Sequence, residues 1–260
     1  MSEVSFRFYE ELNDFLAPNR RKQDFDIPFR DQNSIKDMIE SVGVPHTEID
    51  LILVNGESVD FSYIVRPGDR ISVYPVFEAL DISNITHLRP EPLRQNRFVL
   101  DTHLGKLARY LRLLGFDTLY NNAYDDAELA DISSCGDKRI LLTRDHGLLM
   151  RKQITHGYFV RDDNPERQVR EVLSRFDLHD DVKPFQRCTQ CNGLIQPVAL
   201  GLVQDQLPGK VADQFDEFAR CDGCRRIYWK GSHYDHMVRI VERLRIQKSI
   251  ESDTNKVSVD

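Results

Sequence analysis

The sequence lacks most features that mark membrane and secreted proteins. No apolar run approaches the roughly 20 residues that a helix needs to span a bilayer, so we expect no membrane segment. The first residues, MSEVSFRFYEELND, lack the basic and then apolar order of a signal peptide, which favours a cytoplasmic protein. No internal repeat is evident. A hydrophobic content of 40% beside a charged content of 30% is typical of a globular chain.

Positive charge is scarce in the first third of the chain. Residues 1–80 hold 8 Lys+Arg against 15 Asp+Glu, whereas residues 81–260 hold 27 of each. An acidic surface repels phosphate, so the first third is predicted to be a poor nucleic-acid binder. The neutral remainder is not a general binder of nucleic acid either, and any such role there needs local basic patches.

The first 80 residues are predicted to form one small α+β domain. VSFRFY and QDFDIPF read as strands, Ser34 can cap the helix IKDMIESV, and Asn55-Gly56 marks a hairpin turn before the last strand in RPGDRISVYPV. This order resembles the β-grasp, ubiquitin-like fold, and especially the small sulfur-carrier proteins. Those carriers end in Gly-Gly, whereas here the chain continues, so we expect a docking or regulatory module for a protein partner.

Residues 97–183 are predicted to be an α/β domain, after a linker over residues 81–96 that contains two prolines and lacks periodicity. The short apolar strands RFVL, FDTLY, KRILLT and GYFV alternate with helical stretches. Such alternation favours a parallel sheet covered by helices. Ligands of these sheets bind beyond the carboxyl ends of the strands.

Acidic residues gather where the predicted strands end. Asp101 follows RFVL, Asp145 follows RILLT, Asp163 follows GYFV, and Asp126 opens the helix after FDTLY. Clustered carboxylates repel one another unless a divalent cation lies among them, and Mg²⁺ and Mn²⁺ prefer such ligands. We therefore predict a metal site that activates water for phosphodiester cleavage. The alternative is that the acids are turn residues or helix caps. The sequence alone barely distinguishes Asp125 from Asp126 as the metal ligand.

Basic side chains suited to phosphate lie near the same edge. Lys106 and Arg109 belong to the helix after the first strand, and Arg144 directly follows the third strand. A solvated helix face is the alternative for the helical residues, and it is the expectation for Arg112. The opposite, buried stripe of this helix is predicted to consist of Leu104, Leu107, Ala108 and Leu111.

Four of the five cysteines form two Cys-x₂-Cys pairs, Cys188 with Cys191 and Cys221 with Cys224. In a reducing compartment such pairs are more often metal ligands than disulfides, and two pairs can place four thiolates around Zn²⁺. Four cysteines leave no open position, so the predicted zinc is structural. Two disulfides or an iron–sulfur cluster are the alternatives. Cys135 is expected to be an ordinary buried thiol.

A zinc ribbon is therefore predicted over residues 184–237, with Gly193 and Gly223 in its tight turns, followed by a C-terminal helix and tail over residues 238–260. The 29 residues between the two cysteine pairs exceed the spacing of a compact ribbon. An inserted loop or short helix is expected around DQFDEFA.

A mixture of cations and aromatic rings follows the second cysteine pair, in RRIYWKGSHYDHM. Arg225, Arg226 and Lys230 are suited to the phosphates of a single strand, whose bases stack on aromatic side chains. The alternative is that this segment packs the ribbon against the main domain, which is the expectation for Trp229.

Together these segments resemble a known family. FVLDTHLGKLARYLRLLGFDT, DDAELAD, RILLTRD and the cysteine pairs with RRIYWKGSHYDHM look like the RNase domain named after the C-terminus of the mutator-seven exonucleases, a branch of the PIN-like nucleases. The resemblance covers residues 97–237, and bacterial members similarly carry a ubiquitin-like N-terminus. It implies an RNA substrate, Mg²⁺ or Mn²⁺ held by Asp101, Asp126 and Asp145, and Asp163 as a fourth acid.

Three functions compete at this point. The first is a metal-dependent ribonuclease, whose N-terminal domain could restrain cleavage until a protein partner docks on it. The second is a non-catalytic RNA- or ribosome-binding module, in which the acids are caps and the ribbon binds. The third is a sulfur-carrier or protein-conjugation factor, and the missing Gly-Gly terminus weighs against it.

Overall fold

A computed structural model of the chain describes residues 2–29, 32–75, 88, 96–136 and 138–245. Almost all of the predicted linker and the predicted tail beyond Arg245 lie outside these residues. The chain divides into two compact units. The first takes the described part of residues 1–95 and 124–159, and the second takes the described part of residues 96–123 and 160–260. None of the described helices is long and apolar enough to cross a membrane.

The N-terminal part of the first unit is a mixed sheet with one α-helix against it. Its elements are β1 (Ser2–Phe8), β2 (Phe25–Phe29), α1 (Ile35–Ser41), β3 (Ile49–Val54), β4 (Glu57–Ser58) and β5 (Arg70–Pro75). The strand order is β2-β1-β5-β3-β4, with β1 and β5 parallel and the other neighbours antiparallel. The first and last strands pair at the centre, which is the β-grasp arrangement, so the predicted ubiquitin-like fold is confirmed.

Local signals in the sequence account for this sheet. The Ser34 hydroxyl accepts the N–H of Asp37 at 3.1 Å and begins α1 as predicted. Asn55 and Gly56 both have positive φ, at 52° and 92°, which is the hairpin turn that matches the twist of β3 and β4. The largest fully buried side chains of this sheet and its helix are Phe6, Phe8, Ile35, Ile39, Ile49, Ile52 and Ile71.

Strands and helices alternate through the middle of the chain. They are β6 (Phe98–Leu100), α2 (Gly105–Leu113), β7 (Thr118–Tyr120), α3 (Asp126–Ser134), β8 (Ile140–Thr143), α4 (His146–Leu149), β9 (Gly157–Phe159) and α5 (Pro165–Arg175). In the first unit β8 and β9 pair in parallel, and in the second unit β6 and β7 do so. Parallel pairs separated by helices confirm the predicted α/β class.

Helix α2 buries its predicted apolar stripe in the second unit. Leu107, Ala108 and Leu111 are fully buried, Leu104 just before the helix is 2% exposed, and α2 packs against α5. Asn164 caps α5 through the N–H groups of Glu166 and Arg167, with a proline at the first helical position as the sequence predicts.

The C-terminal part of the second unit is a three-stranded antiparallel ribbon followed by a helix. Its elements are β10 (Ile195–Val198), α6 (Val211–Gln214), β11 (Phe218–Cys221), β12 (Ile227–Trp229) and α7 (Ser232–Arg245). The expected short helix inside the spacer exists, but it begins before DQFDEFA, and the end of that segment already belongs to β11. Helix α7 likewise begins at Ser232, before the predicted start.

Candidate metal centre and acidic strand ends

The two cysteine pairs meet in the ribbon. The Sγ atoms of Cys188, Cys191, Cys221 and Cys224 all lie within 4.8 Å of one another. Across the pairs, the Cys188 and Cys224 sulfurs are 3.6 Å apart and the Cys191 and Cys221 sulfurs are 3.4 Å apart. These distances are too long for a disulfide, and all four cysteines are free. Sulfurs around a tetrahedral Zn²⁺, with bonds of about 2.3 Å, lie about 3.8 Å apart. The four cysteines could therefore bind a structural zinc ion.

The two cysteine loops have the same backbone shape. The N–H of the first cysteine in each loop donates to the carbonyl five residues on, Cys188 to Gly193 at 2.8 Å and Cys221 to Arg226 at 2.9 Å. The residue after the second cysteine has positive φ in both loops, 70° at Asn192 and 63° at Arg225. Gly193 lies in the turn as expected, where its carbonyl closes the first loop, while its neighbour Asn192 takes the left-handed conformation.

Lack of space explains why a glycine, Gly193, suits this turn. A Cβ atom there would lie 2.8 Å from the Cys221 Sγ and 2.5 Å from the Asp222 Oδ1, closer than packed atoms approach. At Gly223 the corresponding approach, to the Cys191 Sγ, is 3.3 Å. The small residues thus leave room for the sulfurs beside the backbone.

The surroundings of the sulfurs differ from one cysteine to the next. Burial opposes ionisation of Cys188, but hydrogen bonds from the Tyr228 hydroxyl, at 3.0 Å, and from backbone N–H groups lower its pKa to about 7. Burial raises the pKa of the Cys221 thiol to about 12 and also raises that of Cys224. Tyr228 was not identified from the sequence as a partner of the cluster. A tyrosine four residues after the last cysteine is the only signal that could have suggested it.

The first cysteine loop is anchored to the α/β part of the same unit by buried hydrogen bonds. Arg112 is 3% exposed and donates to the carbonyls of Thr118 at 2.8 Å and Gln190 at 2.9 Å. The Asn192 side chain accepts the Thr118 N–H at 3.0 Å and donates to Asp117 at 2.8 Å. The expectation of a solvated Arg112 is therefore wrong. Its guanidinium spans from β7 to the cysteine loop.

Replacing Arg112 with leucine is expected to destabilise the protein by about 3 kcal/mol, because carbonyls that accept from a buried charge lose their donor. Arg109→Leu, an exposed change three residues earlier on α2, is the matched control and should cost less than about 0.5 kcal/mol. Urea denaturation followed by circular dichroism measures both. Equal midpoints for the two variants would show that this anchor does not stabilise the fold.

In the second unit the structure places Asp101 directly after β6. Its side chain is 8% exposed, and its Oδ1 accepts the N–H of Thr102 at 2.5 Å and the Thr102 hydroxyl at 3.2 Å. Asp163 is exposed in the turn before α5. Its neighbour Asp162 shapes that turn by accepting the Asn164 N–H at 2.7 Å, and this bond, with help from the Arg167 guanidinium, lowers the pKa of Asp162.

In the first unit Asp126 and Asp145 both stand at helix starts. Asp125 is the N-cap of α3 and forms a reciprocal capping box with Glu128, which settles which of the two neighbouring acids is the cap. Asp126 is the first residue of α3 and is ion-paired with Arg151 at 3.0 Å. Asp145 caps α4, where its Oδ1 accepts the N–H of Gly147 at 2.7 Å and of Leu148 at 3.3 Å.

The basic candidates are mostly open to solvent. The exposed ones are Lys106, Arg109, Arg225, Arg226 and Lys230, while Arg144 is half-buried. Lys230 forms an exposed ion pair with Glu217 at 2.5 Å. Cys135 is exposed at the end of α3, so the expectation of a buried thiol is wrong.

Trp229 is half-buried and lines an apolar groove of about 600 Å³ within the second unit. Phe185 and Tyr234, whose ring centroids are 4.7 Å apart, also line it. The ring therefore contributes to the packing around β12 and α7.

Comparison with known proteins gives two family matches. Residues 96–241 match the family described as the Mut7-C RNAse domain, and residues 1–81 match the family described as Mut7-C ubiquitin. Neither the curated proteins nor the solved structures give a match to the chain.

Proposed function

The chain belongs to the Mut7-C RNAse domain family, and from that premise we propose that it is a metal-dependent ribonuclease that hydrolyses phosphodiester bonds of RNA. The observation that carries the proposal is the match over residues 96–241, more than half of the chain. This stretch contains every acid, cation and cysteine that the sequence singled out. Its α/β fold, with acids after parallel strands, supports the same activity.

We propose that Asp101, Asp126 and Asp145 hold Mg²⁺ or Mn²⁺, with Asp163 completing the site or holding a water. Carboxylate oxygens are the donors that these hard cations prefer, which is the chemical fit. When bound, such an ion lowers the pKa of a water molecule and stabilises the charge that develops on the phosphate. The place of Asp101 directly after β6 supports a ligand role, because ligands of parallel sheets bind beyond the carboxyl ends of the strands.

RNA binding is assigned to cations on two surfaces of the second unit and to Arg144. Lys106 and Arg109 lie exposed on α2, and Arg225, Arg226 and Lys230 lie exposed around the second cysteine loop. Each can neutralise a phosphate, and binding should weaken as salt rises. The cysteine cluster is proposed to hold a structural Zn²⁺, since four protein ligands leave no position for a substrate.

The pair of neighbouring acids at the start of α3 offers a sharp test. Asp126→Asn is expected to lower Mn²⁺-dependent RNA cleavage by on the order of 10²-fold, because a neutral amide replaces a charged ligand. Asp125→Asn is the matched control and should keep activity near that of the wild type, because asparagine caps a helix as well as aspartate does. Cleavage of labelled RNA measures both. A wild type that cuts no RNA, or an Asp126→Asn variant that cuts as well as the wild type, would contradict the proposed site.

One observation favours a second candidate, a non-catalytic RNA- or ribosome-binding module. Two of the three proposed ligands, Asp101 and Asp145, accept backbone N–H groups as caps do. This candidate predicts RNA binding that does not depend on Mn²⁺ and no cleavage at any metal concentration. The same assay with filter binding in parallel therefore separates the two functions.

A further inference from the structure

The ubiquitin-like domain packs onto the segment that carries Asp145 within the first unit. The Phe15 ring lies edge-on to His146, with centroids 4.9 Å apart, and to Phe159, with centroids 5.6 Å apart. His146 and Phe159 contact each other at 4.2 Å. These three rings join the ubiquitin-like domain to α4 and β9.

Buried polar contacts accompany the aromatic ones. Glu48 is 1% exposed, and its Oε1 accepts the N–H of Phe159 at 2.6 Å. His46 is 8% exposed and bridges Glu40, at 2.6 Å, and the carbonyl of Ile154, at 2.8 Å. Both residues belong to the short helical turn His46–Glu48 just before β3.

Such contacts mark an integral interface rather than a loose tether. Separating the two parts would break the hydrogen bond between Glu48 and the Phe159 N–H and would expose the apolar ring surface at the contact to water. A partner that displaced the domain would have to compensate for this loss.

The interface reaches Asp145 through one residue. His146 is the first residue of α4, and Asp145 is its cap, accepting the N–H groups of Gly147 and Leu148. The contacts of the His146 ring with Phe15 and Phe159 therefore connect the ubiquitin-like domain to the residue next to Asp145.

We propose that the ubiquitin-like domain positions the active-site segment, with Phe15 and Glu48 as positioning residues for Asp145, so that the domain sustains cleavage instead of restraining it. The link to cleavage rests on the proposed ribonuclease function, whereas the link to the order of residues 144–150 does not. Loss of these contacts is therefore expected to slow RNA cleavage, whereas loss of the contacts of an autoinhibitory domain would speed it.

The first test compares two phenylalanines of the same domain in the full-length chain. Phe15 and Phe25 both pack against the core of the β-grasp sheet. The ring contacts of Phe25, with Phe8 at 6.0 Å and beneath the Arg20 guanidinium, stay inside that domain. Phe15→Ala should speed hydrogen–deuterium exchange of residues 144–150 by on the order of ten-fold, whereas Phe25→Ala should leave it unchanged.

The second test measures RNA cleavage and compares a disruptive substitution of Glu48 with a conservative one. Glu48→Ala should lower kcat by on the order of ten-fold with KM unchanged, since a misplaced ligand impairs chemistry more than RNA binding. Glu48→Gln keeps an oxygen that can accept the Phe159 N–H and should restore most of kcat. Partial unfolding would also lower the apparent kcat at unchanged KM, so rates are expressed per folded molecule, with the folded fraction measured by circular dichroism.

The outcomes separate this proposal from the proposed function. If the wild type cuts no RNA, the ribonuclease function fails while the exchange experiment still decides the positioning. Equal exchange in Phe15→Ala and Phe25→Ala overturns the positioning role even if the enzyme is active. Faster cleavage by Phe15→Ala or Glu48→Ala would show that the domain restrains the enzyme, which also overturns it.

Discussion

Asp101→Asn is expected to reduce Mn²⁺-dependent RNA cleavage by about 10³-fold while the protein stays folded. The carboxylate follows β6 and is nearly buried, and its replacement by an amide removes a negative charge that a bound cation would contact. Losing one charged ligand removes several kcal/mol of transition-state stabilisation, and each 1.4 kcal/mol is about a factor of ten in rate. Single-turnover cleavage with enzyme in excess measures the chemical step directly.

The fold should tolerate this substitution because Asp101 also acts as a cap. Asparagine can accept the Thr102 N–H in the same way, so the turn that leads to α2 should persist. Asp162→Asn provides the matched control, since Asp162 also shapes a turn after a strand but is not a proposed ligand. RNA affinity of Asp101→Asn should stay close to that of the wild type. Cleavage by Asp101→Asn at the rate of Asp162→Asn would contradict the role of Asp101.

Features set by neighbouring residues could be predicted from the sequence. Ser34, Asp125 and Asn164 cap their helices as their side chains favour, and Asn55-Gly56 forms the expected hairpin. Within each Cys-x₂-Cys pair, the loop is closed by its own backbone hydrogen bond. Such features depend on a few adjacent residues, so they can be predicted from the local sequence.

Features set by distant partners could not be predicted. Lys106, Arg109 and Arg112 recur at the same helical spacing, yet only Arg112 is buried, because its acceptors include the carbonyls of residues 189 and 190. Likewise nothing local in Glu48 indicates that it will bind the Phe159 N–H, 111 residues away. Whether a charged side chain is buried depends on its partners in the folded structure, and the periodicity of the sequence does not reveal those partners.

Removal of zinc is expected to unfold the ribbon and to break the hydrogen bonds that join its first cysteine loop to β7. Binding of a structural zinc contributes on the order of 10 kcal/mol to folding, and four thiolates brought together without a cation would repel one another. The purified protein should contain one zinc per chain by metal analysis. A strong chelator should lower the melting temperature, and added Zn²⁺ should restore it.

Cys188→Ser and Cys135→Ser separate the metal site from a general effect of cysteine loss. Cys188 is fully buried in the cluster, so its replacement should abolish zinc binding and lower stability by several kcal/mol. Cys135 is exposed at the end of α3 and should be replaceable with little effect. Iron in place of zinc would identify an iron–sulfur cluster, and absence of metal from a stable wild type would exclude the metal centre. Because Arg112 and Asn192 join this loop to β7, loss of the metal should also loosen Thr118, which extends the effect of the ribbon into the α/β fold.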